Sequence, residues 1–182
     1  MKYMIASDIH GSAYYCAELM KRFEEEKPDK LILLGDLLYH GPRNDLPRDY
    51  DPKKVISFLN SIKNKIIAVR GNCDTEVDQM VLEFPIMADY AVLVWNNHNI
   101  YITHGHHHNA SDPLPMEKGD FLLCGHTHVP AVYEMENFTY LNPGSVAIPK
   151  DGTNYSYMTL ENDTFLWKKV EDGEQYASCI MK

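Results

Sequence analysis

The chain has 182 residues, 45% of them apolar, and a formal net charge of −9, which suits one globular domain over 1–182. So acidic a surface argues against a strong grip on long DNA or RNA, which needs clustered Lys and Arg. No apolar run nears the roughly 18 residues that span a bilayer, and the opening MKYMIASDIHG carries too few apolar residues for an export signal, so a cytoplasmic protein off the membrane is expected.

Taken in order, the chain alternates short apolar runs with polar loops. Tyr3 to Ser7 reads as a strand, and Ala13 to Lys27 as a helix that stops before Pro28. Leu31 to Leu34 is a second buried strand. Pro52 to Ile62 reads as a helix, with Asp51 as its N-cap and Pro52 in its first turn. Ile66 to Val69 is a third strand, and Thr75 to Leu82 a short helix. The second half reads as strands at 91–94, 100–103, 121–124, 132–135, 139–141, 156–160 and 164–170, with Asn96-Asn97 and Asn162-Asp163 as hairpin turns. Two packed sheets with helices outside satisfy both halves. Cys16, Cys73, Cys124 and Cys179 form no Cys-x-x-Cys pair and read as reduced thiols.

Five of the apolar runs end in polar clusters: Asp8-Ile9-His10-Gly11, Gly35-Asp36, Arg70-Gly71-Asn72-Cys73-Asp74, Thr103-His104-Gly105-His106 and Gly125-His126-Thr127-His128. Ligands of open α/β sheets bind outside the carboxyl ends of the strands, so these clusters are expected on one rim. Their imidazole, carboxylate and amide donors suit Mn²⁺, Fe or Zn²⁺ better than Ca²⁺ or a closed cysteine site. Asp8, His10, Asp36, Asn72, His104, His126 and His128 are too many donors for one ion with an open position. They fit two divalent ions sharing a carboxylate, an arrangement that clamps the attacking and leaving oxygens of a displacement at phosphorus.

Together these motifs resemble the calcineurin-like metallophosphoesterase superfamily. The strings His40-Gly41-Pro42-Arg43-Asn44, Val69 to Asp74 (VRGNCD), Glu76 to Met80 (EVDQM) and Asn142 to Val146 (NPGSV) are similar to the small bacterial YfcE-type phosphodiesterases within it. The resemblance implies a four-layer α/β/β/α sandwich of two mixed sheets flanked by helices. It implies one ion on Asp8, His10, Asp36 and His128, and another on Asp36, Asn72, His104 and His126, with Mn²⁺ typical. The expected activity is hydrolysis of a small or nucleotide-like phosphodiester by a hydroxide held between the ions. A phosphomonoesterase, a protein phosphatase and a non-catalytic scaffold are the alternatives.

The superfamily usually has histidine where this chain has Cys73. In relatives that histidine, with its acidic neighbour, serves the leaving oxygen, so Cys73, Asp74 and His106 are the catalytic candidates. With a thiol in that place, substrates whose leaving group needs little protonation are expected to be preferred. Cys73 reads equally as a small neutral filler, and His106 as a group orienting His104. Arg43, Asn44 and His40, in the loop after Asp36, are the substrate-binding candidates, since a guanidinium there can hold a phosphate oxygen. The scattered Tyr and Trp side chains read as core or as contacts of a dimer or tetramer.

Overall fold

Period-two alternation along the strands sets the layering. In β1 (Lys2–Ala6), Met4 and Ala6 enter one core, while Tyr3 and Ile5 enter another. In β2 (Lys30–Leu33), Leu31 and Leu33 take the first side and Ile32 the second. A sheet so patterned is apolar on both faces and needs a partner on each.

The computed structural model describes residues 1–181 and supplies both partners. Helices α1 (Ala13–Glu26) and α2 (Pro52–Ser61) bring Leu19, Phe23, Val55 and Leu59 onto the first core. Ser12 caps α1 by accepting from the Tyr15 N–H, and Asp51 caps α2 by accepting from Lys54. The short α3 (Glu76–Val81) opens with a capping box between Thr75 and Asp78 and is tied to α2 through Asn60. The second face of the sheet packs on another sheet through Ile100, Ile102, Phe121, Leu123 and Leu141.

The remaining strands are β3 (Ile66–Ala68), β4 (Tyr90–Trp95), β5 (His98–Thr103), β6 (Asp120–Leu123), β7 (Ala131–Glu134), β8 (Phe138–Asn142), β9 (Ser156–Glu161), β10 (Thr164–Lys169) and β11 (Gln175–Ile180). They form a six-stranded sheet in the order β11-β10-β9-β1-β2-β3 and a five-stranded sheet in the order β4-β5-β6-β8-β7. Strands β1, β2 and β3 are parallel, as are β5, β6 and β8. Antiparallel strands flank both groups, so each sheet is mixed. No helix among the described residues is long and apolar enough to cross a membrane.

Two features differ from the sequence expectation. The outer layer over the five-stranded sheet is a loop, 104–119, whose Ala110 and Met116 pack on Leu122, Phe138 and Tyr140. Pro113 and Pro115 lie in that segment and oppose helix formation. Strand β11 is the second. It pairs with β10 at the sheet edge and is mostly exposed, so its sequence lacks the apolar alternation that marks a half-buried strand.

Candidate active site

Parallel pairing brings the carboxyl ends of β1, β2 and β3 to one rim, and the packing of the two sheets adds those of β5 and β6. The loops leaving these strands turn within a few residues. Asp8, His10, Asp36, His126 and His128 all have positive φ, between 49° and 67°. Asp and His tolerate this region better than most side chains, yet each such residue costs on the order of 1–3 kcal/mol. Strain gathered on five residues whose Asp or His side chains can ligate a metal points to a function that needs them placed so.

The donors meet in two groups. Asp8 Oδ1 lies 3.6 Å from His10 Nε2 and 3.3 Å from His128 Nε2. On the other side, His104 Nε2 lies 3.1 Å from Asn72 Oδ1 and 3.3 Å from His126 Nδ1. Asp36 Oδ2 stands between the groups, 3.7 Å from His10 Nε2 and 3.5 Å from His104 Nε2. All seven metal-ligand candidates of the sequence are therefore gathered in one place.

Backbone carbonyls fix the histidine rings. Nδ1 of His10 donates to Tyr39 O at 2.7 Å, Nδ1 of His104 to Leu34 O at 2.6 Å, and Nδ1 of His128 to Ile148 O at 2.6 Å. In the neutral form that ligates a metal, each ring turns an Nε2 lone pair into the site. Asp8 Oδ1 is buried and has no hydrogen-bond partner. A buried carboxylate oxygen without a partner is unfavourable, and a bound cation would satisfy it together with the imidazole nitrogens around it. The donor set thus fits divalent metal ions.

A family model of the calcineurin-like phosphoesterase superfamily domain matches residues 1–164. This chain belongs to that superfamily. Phosphodiesterase YfcE of Escherichia coli strain K12 is 45% identical over 163 residues, which cover 90% of this chain and 89% of that relative. The solved structure of the E. coli phosphoesterase superposes over 100% of both chains with a TM-score of 0.97 at 41% identity. An archaeal phosphodiesterase shares the fold alone, with a TM-score of 0.64 at 22% identity over 99% of each chain. The chain is accordingly a metal-dependent phosphoesterase with the two-sheet α/β fold of its superfamily.

Electrostatics in this phosphoesterase site follow from burial among opposite charges. Burial pushes the Asp8 carboxyl up, but His10, His128 and His104 hold it well below the usual carboxylate range. Burial likewise opposes charge on His104, yet hydrogen bonding to Asp36 and the charges of Asp8 and Asp36 raise it to about 9. His106 goes the other way: burial and then the neighbouring His104 lower it to about 4. Asp74 is buried, and its carboxylate accepts the backbone N–H of Asp36 at 2.8 Å, Leu37 at 2.9 Å and Gly71 at 2.7 Å. It pins the β2 loop to the β3 loop and is a positioning residue.

Glycines let these loops approach. A Cβ on Gly71 would sit 2.1 Å from Asp36 Oδ1, and one on Gly125 would sit 1.9 Å from Ser7 Oγ. No other residue fits either place without moving a neighbour.

A cavity of about 470 Å³ opens over the donors. Arg43, Asn44 and Cys73 line it, as the sequence reading placed them. His40 is not among its lining residues. That ring lies edge-on to Tyr39 and Tyr50. His106 is also outside it, 5.3 Å from His104 between ring centroids, and lines a separate cavity. Sequence reasoning missed Lys150 and Thr127, which line the active-site cavity. Lys150 stands alone after Pro149 and no local motif marks it. It also did not assign Asn142 and Ser145. Asn142 donates Nδ2 to Gly125 O at 2.7 Å, and Ser145 donates Oγ to Asp8 O at 2.9 Å, so the β8 loop braces two ligand loops from behind. The Asn142-Pro-Gly-Ser-Val string was the available signal.

Proposed function

We propose that this phosphoesterase hydrolyses small or nucleotide-like phosphodiesters at a two-ion centre, with Mn²⁺ as the working metal and Zn²⁺ or Fe as alternatives. One observation carries the reading: a single carboxylate oxygen, Asp36 Oδ2, stands within 3.7 Å of a donor nitrogen in each group. Bound divalent ions supply a water of lowered pKa and offset charge developing on the phosphoryl oxygens.

The chain's own residues do the rest. Asp36 sets the separation of the two donor groups, and the three carbonyl-anchored imidazoles keep their lone pairs fixed inward. Arg43 and Lys150 bring positive charge to a cavity in a chain of net charge −9, and so hold an anionic phosphate there. Burial, and then the charge of Asp36, push the Cys73 thiol up to about 12, so it stays neutral and protonated at pH 7. It is a weaker acid than an imidazolium, which favours leaving groups that depart with little protonation. The cavity volume suits a small ligand and not a duplex. A cytoplasmic setting and self-association as a dimer or tetramer belong to the same reading. The name of the E. coli relative supports diesters over monoesters.

A substrate panel tests this on Mn²⁺-loaded protein, with aryl diesters and aryl monoesters of matched leaving groups. Diesters are expected to turn over faster, and Asp36→Ala to abolish the rate. Faster monoester turnover would transfer the assignment to a phosphomonoesterase. A protein that stays metal-free in excess Mn²⁺ would instead be a scaffold.

A further inference from the structure

A second cavity, about 620 Å³, adjoins the first and shares His126 and Thr127 with it. We infer that it is a subsite for an uncharged aromatic or heteroaromatic ring carried by the phosphate ester, with Tyr133 as its stacking platform. This rests on the phosphoesterase reading and names the substrate class for that site.

The geometry of the platform follows from strand register. Tyr133 of β7 pairs with Tyr140 of β8 across the antiparallel ladder. Their rings stack with centroids 5.8 Å apart and planes 18° from parallel. Tyr140 is buried, and its hydroxyl accepts from Asn142 Nδ2 at 3.1 Å, the same amide that braces Gly125 and Thr127. The inner ring is therefore tied directly to the metal-site loop. The outer ring, Tyr133, remains 58% exposed. A large aromatic surface held flat beside a reaction site gains by covering it with another ring.

The loop that supplies the rest of the lining is preformed. Asn109 accepts from the N–H of Ser111 and Asp112 and donates to Gly105 O, which ties residues 105–112 of the loop together. His106 lines the same cavity, and its Nδ1 is buried without a hydrogen-bond partner. Charge sorts the two halves of the substrate. Arg43 and Lys150 line the first cavity, whereas the second has Asp151 and no Lys or Arg among its lining residues. The anionic phosphate thus belongs over the donors, and a neutral ring belongs beside Tyr133.

Calorimetry on Mn²⁺-loaded protein with two non-hydrolysable probes, ethylphosphonate and 2-phenylethylphosphonate, tests the assignment. The phenyl probe should bind the unaltered protein about tenfold tighter, the scale expected of one aromatic stack. In Tyr133→Ala this preference should fall to near one while ethylphosphonate binds as before. Ala131→Trp, which fills the cavity from its lining, should give the same loss by a different route. No preference in the unaltered protein, or a preference that survives both substitutions, would overturn the subsite and leave the phosphoesterase reading standing. Failure of both probes to bind would overturn the subsite, whereas the phosphoesterase reading stands or falls separately on turnover of the aryl diester panel.

Discussion

His10 Nε2 lies 3.2 Å from His128 Nε2, although both rings give their Nδ1 protons to backbone carbonyls. When both rings are in the neutral form that ligates a metal they have no proton to share, and the ring centroids are only 5.0 Å apart. The fold holds this arrangement by the Tyr39 and Ile148 carbonyls, which come from different loops. A cation converts the repulsion into two bonds, so metal binding should stabilise the protein as a whole.

Thermal unfolding with and without metal checks this. At a Mn²⁺ concentration about 100-fold above Kd, linkage gives about 2.7 kcal/mol. For a chain of this length that is a rise in Tm of roughly 5–10 °C. Chelator should reverse it. A Tm indifferent to both additions would separate the donor cluster from metal binding.

The pH dependence has a definite sign. His104 titrates near 9 in the folded, metal-free protein, against 6.5 for an unperturbed imidazole. Its contribution to stability is complete below about 6.5 and is lost as pH rises through about 9. Metal-free protein should therefore lose Tm across that window. Asp8 is depressed, so its contribution is present above about 4 and disappears on further acidification. Metal affinity should climb with pH where metal-free stability falls, because a ligating imidazole must lose its proton first. Parallel Tm and metal titrations at several pH values read both slopes.

Gly71→Ala is expected to disable the site without unfolding the chain. The added Cβ meets Asp36 Oδ1 at 2.1 Å and Asp36 N at 2.3 Å, so the shared carboxylate must move. Ångström-scale displacement of a reacting group costs on the order of 100-fold in rate. Activity should drop by about that factor, with bound metal reduced by elemental analysis. Full activity would show that Asp36 tolerates displacement.

Asp74→Ala should act on stability first. Removing its carboxylate strands three buried N–H groups, those of Asp36, Leu37 and Gly71. Each costs about 1–3 kcal/mol unsatisfied, less whatever water recovers, so a loss of at least about 3 kcal/mol is expected in urea denaturation. A near-neutral result would mean that other acceptors replace it.

Lys150→Ala is expected to leave stability within about 0.5 kcal/mol, because the residue is exposed. Its effect should fall on substrate binding, raising KM several-fold at low salt and less at high salt. An unchanged KM at low ionic strength would remove Lys150 from the phosphate-binding surface.

The sequence alone carried every strand except β11, the helices and the donor identities, since each is a local property. The apolar runs over 3–7 and 31–34, the Asp51-Pro52 start, and the donors next to glycines are each written within a few neighbouring residues. The family was legible in the same way, from contiguous strings such as VRGNCD. Tertiary structure alone decided which strands pair, and with that, what surrounds the donors. The chain returns from β8 to lay β9 against β1, a contact across more than 150 positions that no local pattern announces. Lys150 reaches the cavity only through that path, and Asn142 reaches Gly125 through the parallel pairing of β8 with β6; His40 and His106, close in sequence to ligands, instead pack on Tyr39 and Tyr50 and line a separate cavity, respectively. Chain proximity fixes a residue within a turn, but a side chain's neighbours are set by register and by how two sheets pack, and both are global solutions to burying apolar surface.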